Sequence, residues 1–350
     1  MAEWQITFWD VGQGDATDIK LPDNTHIVID AGPPANSGNP FPLWFSDSVV
    51  GKPRIRCLVL THTHRDHFGG AIKLCIDDQQ IIDEVILPLD ANVRKIEDIP
   101  IEDKEDLPEL RKLFGLLCNR RGTRVVRYKS PGIIYEDEDL RLRAVAPLKM
   151  PSDSPMSINR TSIILALESV HRPERTFIVW SGDTLLSELG KNITNSIEGV
   201  LTGPHHGRPQ DMKPNEPPEK TGFFMQILRN ISPQTLFISV GTKNQYEHPF
   251  RKYLAAAANA GVRVCCSELT KRCKEKCNED VYPGSAMLGL QPPQNAIQCR
   301  GTMRVFVSTH GGLRYDQCQK EFLENVVTKV PKGACNGPVL KRPSKANHLV

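Results

Sequence analysis

The sequence predicts an α/β protein folded as an αββα four-layer sandwich, on three observations. Short β-branched and aliphatic runs alternate with helical or turn segments along most of the chain. The runs fall into two β-rich groups, each flanked by helical patterns, which is what two sheets packed face to face beneath outer helices require. Finally, 39% apolar and 24% charged residues over 350 positions suit a globular chain with a sizeable core.

The first group begins with Trp4 to Asp10, broken by Gly12 and Gly14, and continues with Thr25 to Ile29 and Arg56 to Leu60, each ending at a polar turn. Gly69 to Cys75 and the amphipathic Leu107 to Asn119 are expected as helices, Thr123 to Tyr128 and Leu140 to Ala146 as further strands. The second group comprises Ser162 to Glu168, Thr176 to Trp180, Val200 to Leu201, Thr235 to Val240, Val262 to Cys266 and Met303 to Ser308. Gly32 to Pro42, Arg208 to Lys220 and Pro331 to Val350 read as loops. One hydrolase domain over 1–327, with a cysteine-rich insertion at 265–300, and a basic, disordered tail over 328–350 are therefore expected.

The balance of 44 basic and 41 acidic residues gives a net charge of +3, too small for a global field aimed at nucleic acid or membrane. The start of the chain lacks a cationic stretch followed by an apolar run, and no window reaches the roughly 18 apolar residues of a membrane span. A cytoplasmic protein with no membrane association is expected, its ten cysteines mostly thiols or metal ligands.

Chemistry concentrates after the apolar run Cys57 to Leu60. His62, His64, Asp66 and His67 place four metal-ligand side chains within six residues, just before Gly69-Gly70. Imidazoles and a carboxylate suit zinc and similar divalent ions, and a loop leaving a strand end can aim them at two adjacent metals.

Thr61 to Gly70 resembles the HxHxDH motif of the metallo-β-lactamase superfamily. The order Asp10-Val11-Gly12-Gln13-Gly14-Asp15-Ala16, Asp30-Ala31-Gly32, Asn159 to Ser162, Ser181-Gly182-Asp183, Pro204 to Gly207, and Ser239 through Asn244 to His248-Pro249 is similar to ComEC-type hydrolases over residues 4 to 310. That group includes the soluble domain of the bacterial DNA-uptake channel; this chain is expected to be a free-standing form. The resemblance implies that His62 and His64 hold one metal, Asp66 and His67 the other, that Asp183 bridges them and that His205, in competition with His206, completes the second site. Many superfamily members add a histidine to the first metal where this chain has Asn159 to Ser162, so Asn159 is a candidate replacement and the pair is open to zinc or manganese. Asp10, Gln13, Asp15 and Asp30 are expected to orient the ligands, and Asn244 and His248 to contact a phosphate or protonate a leaving oxygen.

Two ions about 3.5 to 4 Å apart activate a water and clamp the oxygens of an in-line displacement. The expected activity is a phosphodiesterase or nuclease acting on DNA, with Asp66, Asp183, His248 and Asn244 as its catalytic residues and Arg65, Arg208 and Lys243 as local positive charge. The alternatives are hydrolysis of a small molecule such as a cyclic nucleotide or amide, and a non-catalytic, metal-stabilised interaction module. Among the cysteines, Cys57, Cys75 and Cys118 lie on apolar segments and are expected to be buried small hydrophobes. Cys266, Cys273, Cys277 and Cys299 flank the insertion and are candidates for an additional structural zinc.

Overall fold

The structure is a computed structural model and describes residues 3–47, 53–77, 79–88, 106–128, 130–147, 158–209, 211, 218–242, 244, 246–270, 293, 296, 299–308 and 312–318. The first sheet takes β1 (Glu3–Phe8), β2 (Ala16–Lys20), β3 (His26–Ala31), β4 (Ile55–Val59), β5 (Ile82–Leu87) and β6 (Arg124–Arg127) from the start of the chain. The second is built from β7 (Gly132–Glu136), β8 (Leu140–Ala146), β9 (Ile164–Ser169), β10 (Thr176–Trp180), β11 (Ile197–Thr202), β12 (Thr235–Ile238) and β13 (Arg263–Cys266), in continuous order. The chain then returns to the first sheet with β14 (Met303–Ser308) and β15 (Leu313–Tyr315), giving the order β15-β14-β1-β2-β3-β4-β5-β6.

Alternating side chains explain the layers. In β3, Ile27 and Ile29 enter the core between the sheets while Val28 enters the core under the outer helices; Cys57, Leu58 and Val59 repeat the division in β4. The helices α1 (Phe41–Asp47), α2 (Arg65–Ile76) and α3 (Leu107–Asn119) cover the first sheet, and α4 (Leu186–Asn192), α5 (Pro218–Ile231) and α6 (Arg251–Asn259) the second. Helix α3 buries Leu110, Leu113, Phe114 and Leu117, the single stripe that its amphipathic spacing requires. The architecture is the predicted αββα sandwich.

Differences from the sequence reading have local causes. Strand β2 carries Thr17 and Asp18 inside, and the buried Asp18 carboxylate is matched by His26 Nδ1 at 2.7 Å, so its polar residues hid a central strand. The loop-like stretches at 32–42 and 208–220 end in the first turns of α1 and α5. Cys57 and Cys75 are buried as expected, whereas Cys118 is exposed on the outward side of α3. Cys273, Cys277 and the 328–350 tail lie outside the described residues. Among those described, no helix is long and apolar enough to cross a membrane.

Strand direction positions the chemistry. β3 runs parallel to β4, and β10 to β11 and β12, so the loops leaving Ala31, Val59, Trp180 and Thr202 emerge at carboxyl ends of the two sheets.

Candidate metal centre

The His loop is held by Asp30, whose left-handed backbone (φ 52°) turns its carboxylate back across the end of β4. One oxygen accepts the Thr61 N–H at 2.8 Å; the other accepts the Thr61 hydroxyl at 2.7 Å and His67 Nδ1–H at 2.8 Å. Close packing completes the anchor. A Cβ on Gly14 would overlap the Asp66 carbonyl oxygen, and one on Gly70 the Ala31 carbonyl oxygen, so both positions require glycine.

Asp183, 1% exposed, enters from the end of β10 and stands at the centre. Its Oδ2 faces His62 Nε2 at 3.4 Å, His205 Nε2 at 3.6 Å and His64 Nδ1 at 3.8 Å. Its Oδ1 faces His67 Nε2 at 3.2 Å and His206 Nε2 at 3.7 Å, and His206 Nε2 also lies 3.0 Å from Asp66 Oδ2. Ligand atoms of His62, His64 and Asp183 lie within 4.8 Å of one another, as do those of Asp15, His67, Asp183 and His206.

Hydrogen bonds set which ring nitrogen is available. His67 donates Nδ1–H to Asp30, His205 to the Arg208 carbonyl at 2.8 Å and His206 to the Ser239 carbonyl at 3.0 Å. His62 Nδ1 lies 3.0 Å from the Thr61 hydroxyl oxygen, which is already donating to Asp30 and so accepts. In their neutral forms all four imidazoles therefore direct an Nε2 lone pair toward Asp183. This is the arrangement that outer hydrogen bonds impose on metal-binding histidines.

The electrostatics agree with a site for cations. Burial disfavours charge on Asp183, yet the surrounding histidines hold its carboxyl well below the usual range. Burial likewise opposes charge on His206, but Asp183, Asp15 and Asp66 outweigh it and lift its pKa to about 9. Burial pushes His62 down to about 3 and Asp15 up to about 6, the latter against the pull of His206 and His67. His67 Nε2 and Asp183 Oδ1 are buried without a hydrogen-bond partner although they converge on the same space. Buried polar atoms of this kind call for a binding group, and imidazole and carboxylate donors fit a divalent ion.

Two placements differ from the sequence reading. His206, not His205, lies with Asp66 and His67, while His205 turns to the side of His62 and His64. Both residues have left-handed backbones, φ 48° and 52°, so the chain reverses within two residues and the rings diverge. Asp15, expected only to orient ligands, is within metal-ligand reach. Asn159 is fully buried, and neither amide atom has a hydrogen-bond partner among the described residues; the Ser162 hydroxyl is also unpartnered.

Beyond the carboxylate, His248 lies 5.2 Å from His205 and 5.9 Å from His206 between ring centroids. Burial first, and then the neighbouring His206 and His205, push its pKa down to about 3 and keep it neutral. Asn244 is occupied by its own loop: its Oδ1 accepts His248 N–H at 2.8 Å, and its Nδ2 donates to the Gly241 and His248 carbonyls at 2.8 and 3.1 Å. Arg65 pairs with Glu109 at 3.0 Å, and Arg208 donates to the Tyr246 carbonyl at 2.9 Å while lying over Phe250. Lys243 lies outside the described residues.

The family model described as the metallo-beta-lactamase superfamily matches residues 9–76. ComE operon protein 3 of Bacillus subtilis (strain 168) is 24% identical over 284 residues, which cover 75% of this chain and 32% of that protein. The chain thus spans about a third of the length of that relative. Similar solved structures include a metal-dependent hydrolase of the beta-lactamase superfamily, at TM-score 0.43 and 10% identity over 75% of this chain and 95% of the other. Another is a metallo hydrolase from Ignicoccus hospitalis, at TM-score 0.38 and 12% identity over 74% and 94%. A long-form RNase Z from yeast follows at TM-score 0.36 and 12% identity over 69% and 37%.

Proposed function

We propose that the chain, whose residues 9–76 match the metallo-beta-lactamase superfamily model and whose order of motifs resembles ComEC-type hydrolases, is a two-metal phosphodiesterase acting on DNA. The observation that carries this reading is the division of imidazoles between the two oxygens of Asp183. His62 Nε2, His64 Nδ1 and Asp183 Oδ2 would hold one ion, with His205 and Asn159 as further donors. Asp66, His67 Nε2, His206 Nε2 and Asp183 Oδ1 would hold the other, with Asp15 beside them. Zinc or manganese bound there would supply an activated water and a clamp for the attacking and leaving oxygens.

The residues of the chain prepare that chemistry. Asp30 and the Ser239 carbonyl fix the His67 and His206 rings, so little reorganisation accompanies binding. Asp183 divides its oxygens between the two halves of the site and fixes their spacing. His248, neutral and flanked by His205 and His206, is placed to meet an oxygen of the substrate. The resemblance of the motif order to ComEC-type hydrolases, a group that includes the soluble domain of the DNA-uptake channel, favours DNA over a cyclic nucleotide or an amide; those substrates and a non-catalytic metal-stabilised module are the competing readings.

The test compares wild type with Asp183→Asn, each reloaded with zinc or manganese, on single- and double-stranded DNA, RNA, bis-p-nitrophenyl phosphate and a small amide. Metal-dependent DNA cleavage by wild type alone is expected. Wild type that leaves DNA intact but turns over the small phosphodiester or the amide would replace the nuclease reading with a small-molecule one, and no turnover of any substrate would favour the binding module.

A structural zinc on Cys266, Cys273, Cys277 and Cys299 belongs to the same proposal. Its support is that Arg300 N–H donates to the Cys266 carbonyl at 2.9 Å and Cys299 N–H to the Ser267 carbonyl at 3.0 Å, which brings the first and last members side by side. Cobalt substitution should give thiolate-to-metal absorption that survives His62→Ala. Absence of that band overturns it.

A further inference from the structure

His248 stands apart from His62, His67, His205 and His206. Each of those donates through Nδ1, whereas His248 Nδ1 faces the Gln13 side-chain amide, its Nε2 nitrogen 3.1 Å away. Which end of an amide faces an imidazole decides the tautomer, and here the other end settles it. The Gly241 N–H is directed at Gln13 Oε1 at 3.5 Å; a backbone N–H can only donate, so the oxygen must lie on that side and the NH₂ must face His248. Gln13 therefore donates, Nδ1 accepts and the proton of a neutral His248 resides on Nε2.

The surrounding loop holds this geometry. Gly241 approaches so closely that a Cβ there would stand 2.9 Å from the Gln13 backbone nitrogen, and Asn244 ties the Gly241 carbonyl to both backbone groups of His248. One loop thus supplies both partners of the Gln13 amide, from residues more than two hundred positions away in sequence.

We infer that Gln13 holds His248 as its Nε2–H tautomer, so that His248 meets substrate as a hydrogen-bond donor and is neither a metal ligand through Nε2 nor a proton acceptor. The acceptor class is an anionic oxyester oxygen, which rests on the phosphodiester reading above. Gln13 is a positioning residue. Replacing it with Glu puts a carboxylate against Nδ1, which draws the proton there and leaves Nε2 a bare lone pair.

Long-range proton–nitrogen correlation spectra of zinc-loaded, full-length protein with labelled histidine read the tautomer directly, with His248→Ala identifying the signals. At mildly alkaline pH the wild type should show His248 protonated at Nε2 and bare at Nδ1, and Gln13→Glu should reverse the pattern. Gln13→Leu should remove the preference. In both variants kcat for bis-p-nitrophenyl phosphate should fall roughly 10-fold with zinc content and KM unchanged, the size expected when an orienting partner is lost. A wild-type His248 carrying its proton on Nδ1, or a Gln13→Glu protein with the tautomer unaltered, overturns the inference. The wild-type spectrum decides even if neither variant folds. The predicted tautomers in a protein without phosphodiesterase activity would overturn the functional reading alone.

Discussion

His205 and His206 are consecutive in the chain, yet their Nε2 atoms address opposite oxygens of Asp183, at 3.6 Å from Oδ2 and 3.7 Å from Oδ1. His206→Ala should therefore deplete the ion shared with Asp66 and His67, and His205→Ala should affect the other. Elemental analysis after reloading with limiting zinc distinguishes them: His206→Ala should retain about one ion, held by His62 and His64. Equal stoichiometry in the two variants, both at two ions, would contradict the assignment of sides.

Asp30 acts on the centre through a ring it orients. In Asp30→Asn, the oxygen can still accept from Thr61 N–H, which leaves the amide NH₂ facing His67 Nδ1–H, donor against donor. The tautomer of His67 should shift and zinc affinity fall by about 10- to 100-fold, as it does when such outer partners are removed. Competition with a chromogenic chelator measures this. Affinity unchanged from wild type would show that the ring is held by packing alone.

Stability of the chelator-treated protein should fall as pH rises from about 6.5 to about 9. Burial opposes charge on His206, but Asp183, Asp15 and Asp66 raise its folded pKa from 6.5 to about 9, so its contribution is complete below the unfolded value and is lost through the folded one. His67, raised well above its ordinary value, acts in the same direction. His62 and His248, lowered to about 3, change charge below this window. Zinc-loaded protein should show the opposite trend relative to the chelated form, because ligand histidines no longer compete with protons. Parallel thermal melts across this range provide the check.

Gly70→Ala should destabilise by about 1 to 3 kcal/mol, because the neighbour that its Cβ meets is the Ala31 carbonyl and cannot swing aside. Urea unfolding at constant slope measures it. Gly115→Ala on α3, where a Cβ meets nothing within 4 Å, should instead be neutral or stabilising.

The fold was legible because the apolar pattern marks the elements: β10 is buried along its whole length, β8 begins with apolar and arginine residues in alternation, and α3 spans its whole amphipathic stripe. Strand β2 was not, because Asp18 is a buried polar residue whose partner His26 is identified only by pairing with β3. The HxHxDH loop was readable from spacing, while the sides taken by His205 and His206 depend on two left-handed backbones that spacing does not encode. Gln13 stood in a glycine-broken turn with no local sign that its amide would meet His248.

The origin of the ligands has a consequence for how the molecule could be divided. Strands β1 to β6 carry Asp15 and the His loop, whereas the segment from β7 to β13 carries Asp183, His205, His206 and His248. A cut between β6 and β7 would leave each fragment with an incomplete chelate, so an ion taken by both would rivet them together. Reassembly of such a split protein would be strengthened by metal, on top of the β1–β14 pairing and the shared core between the sheets.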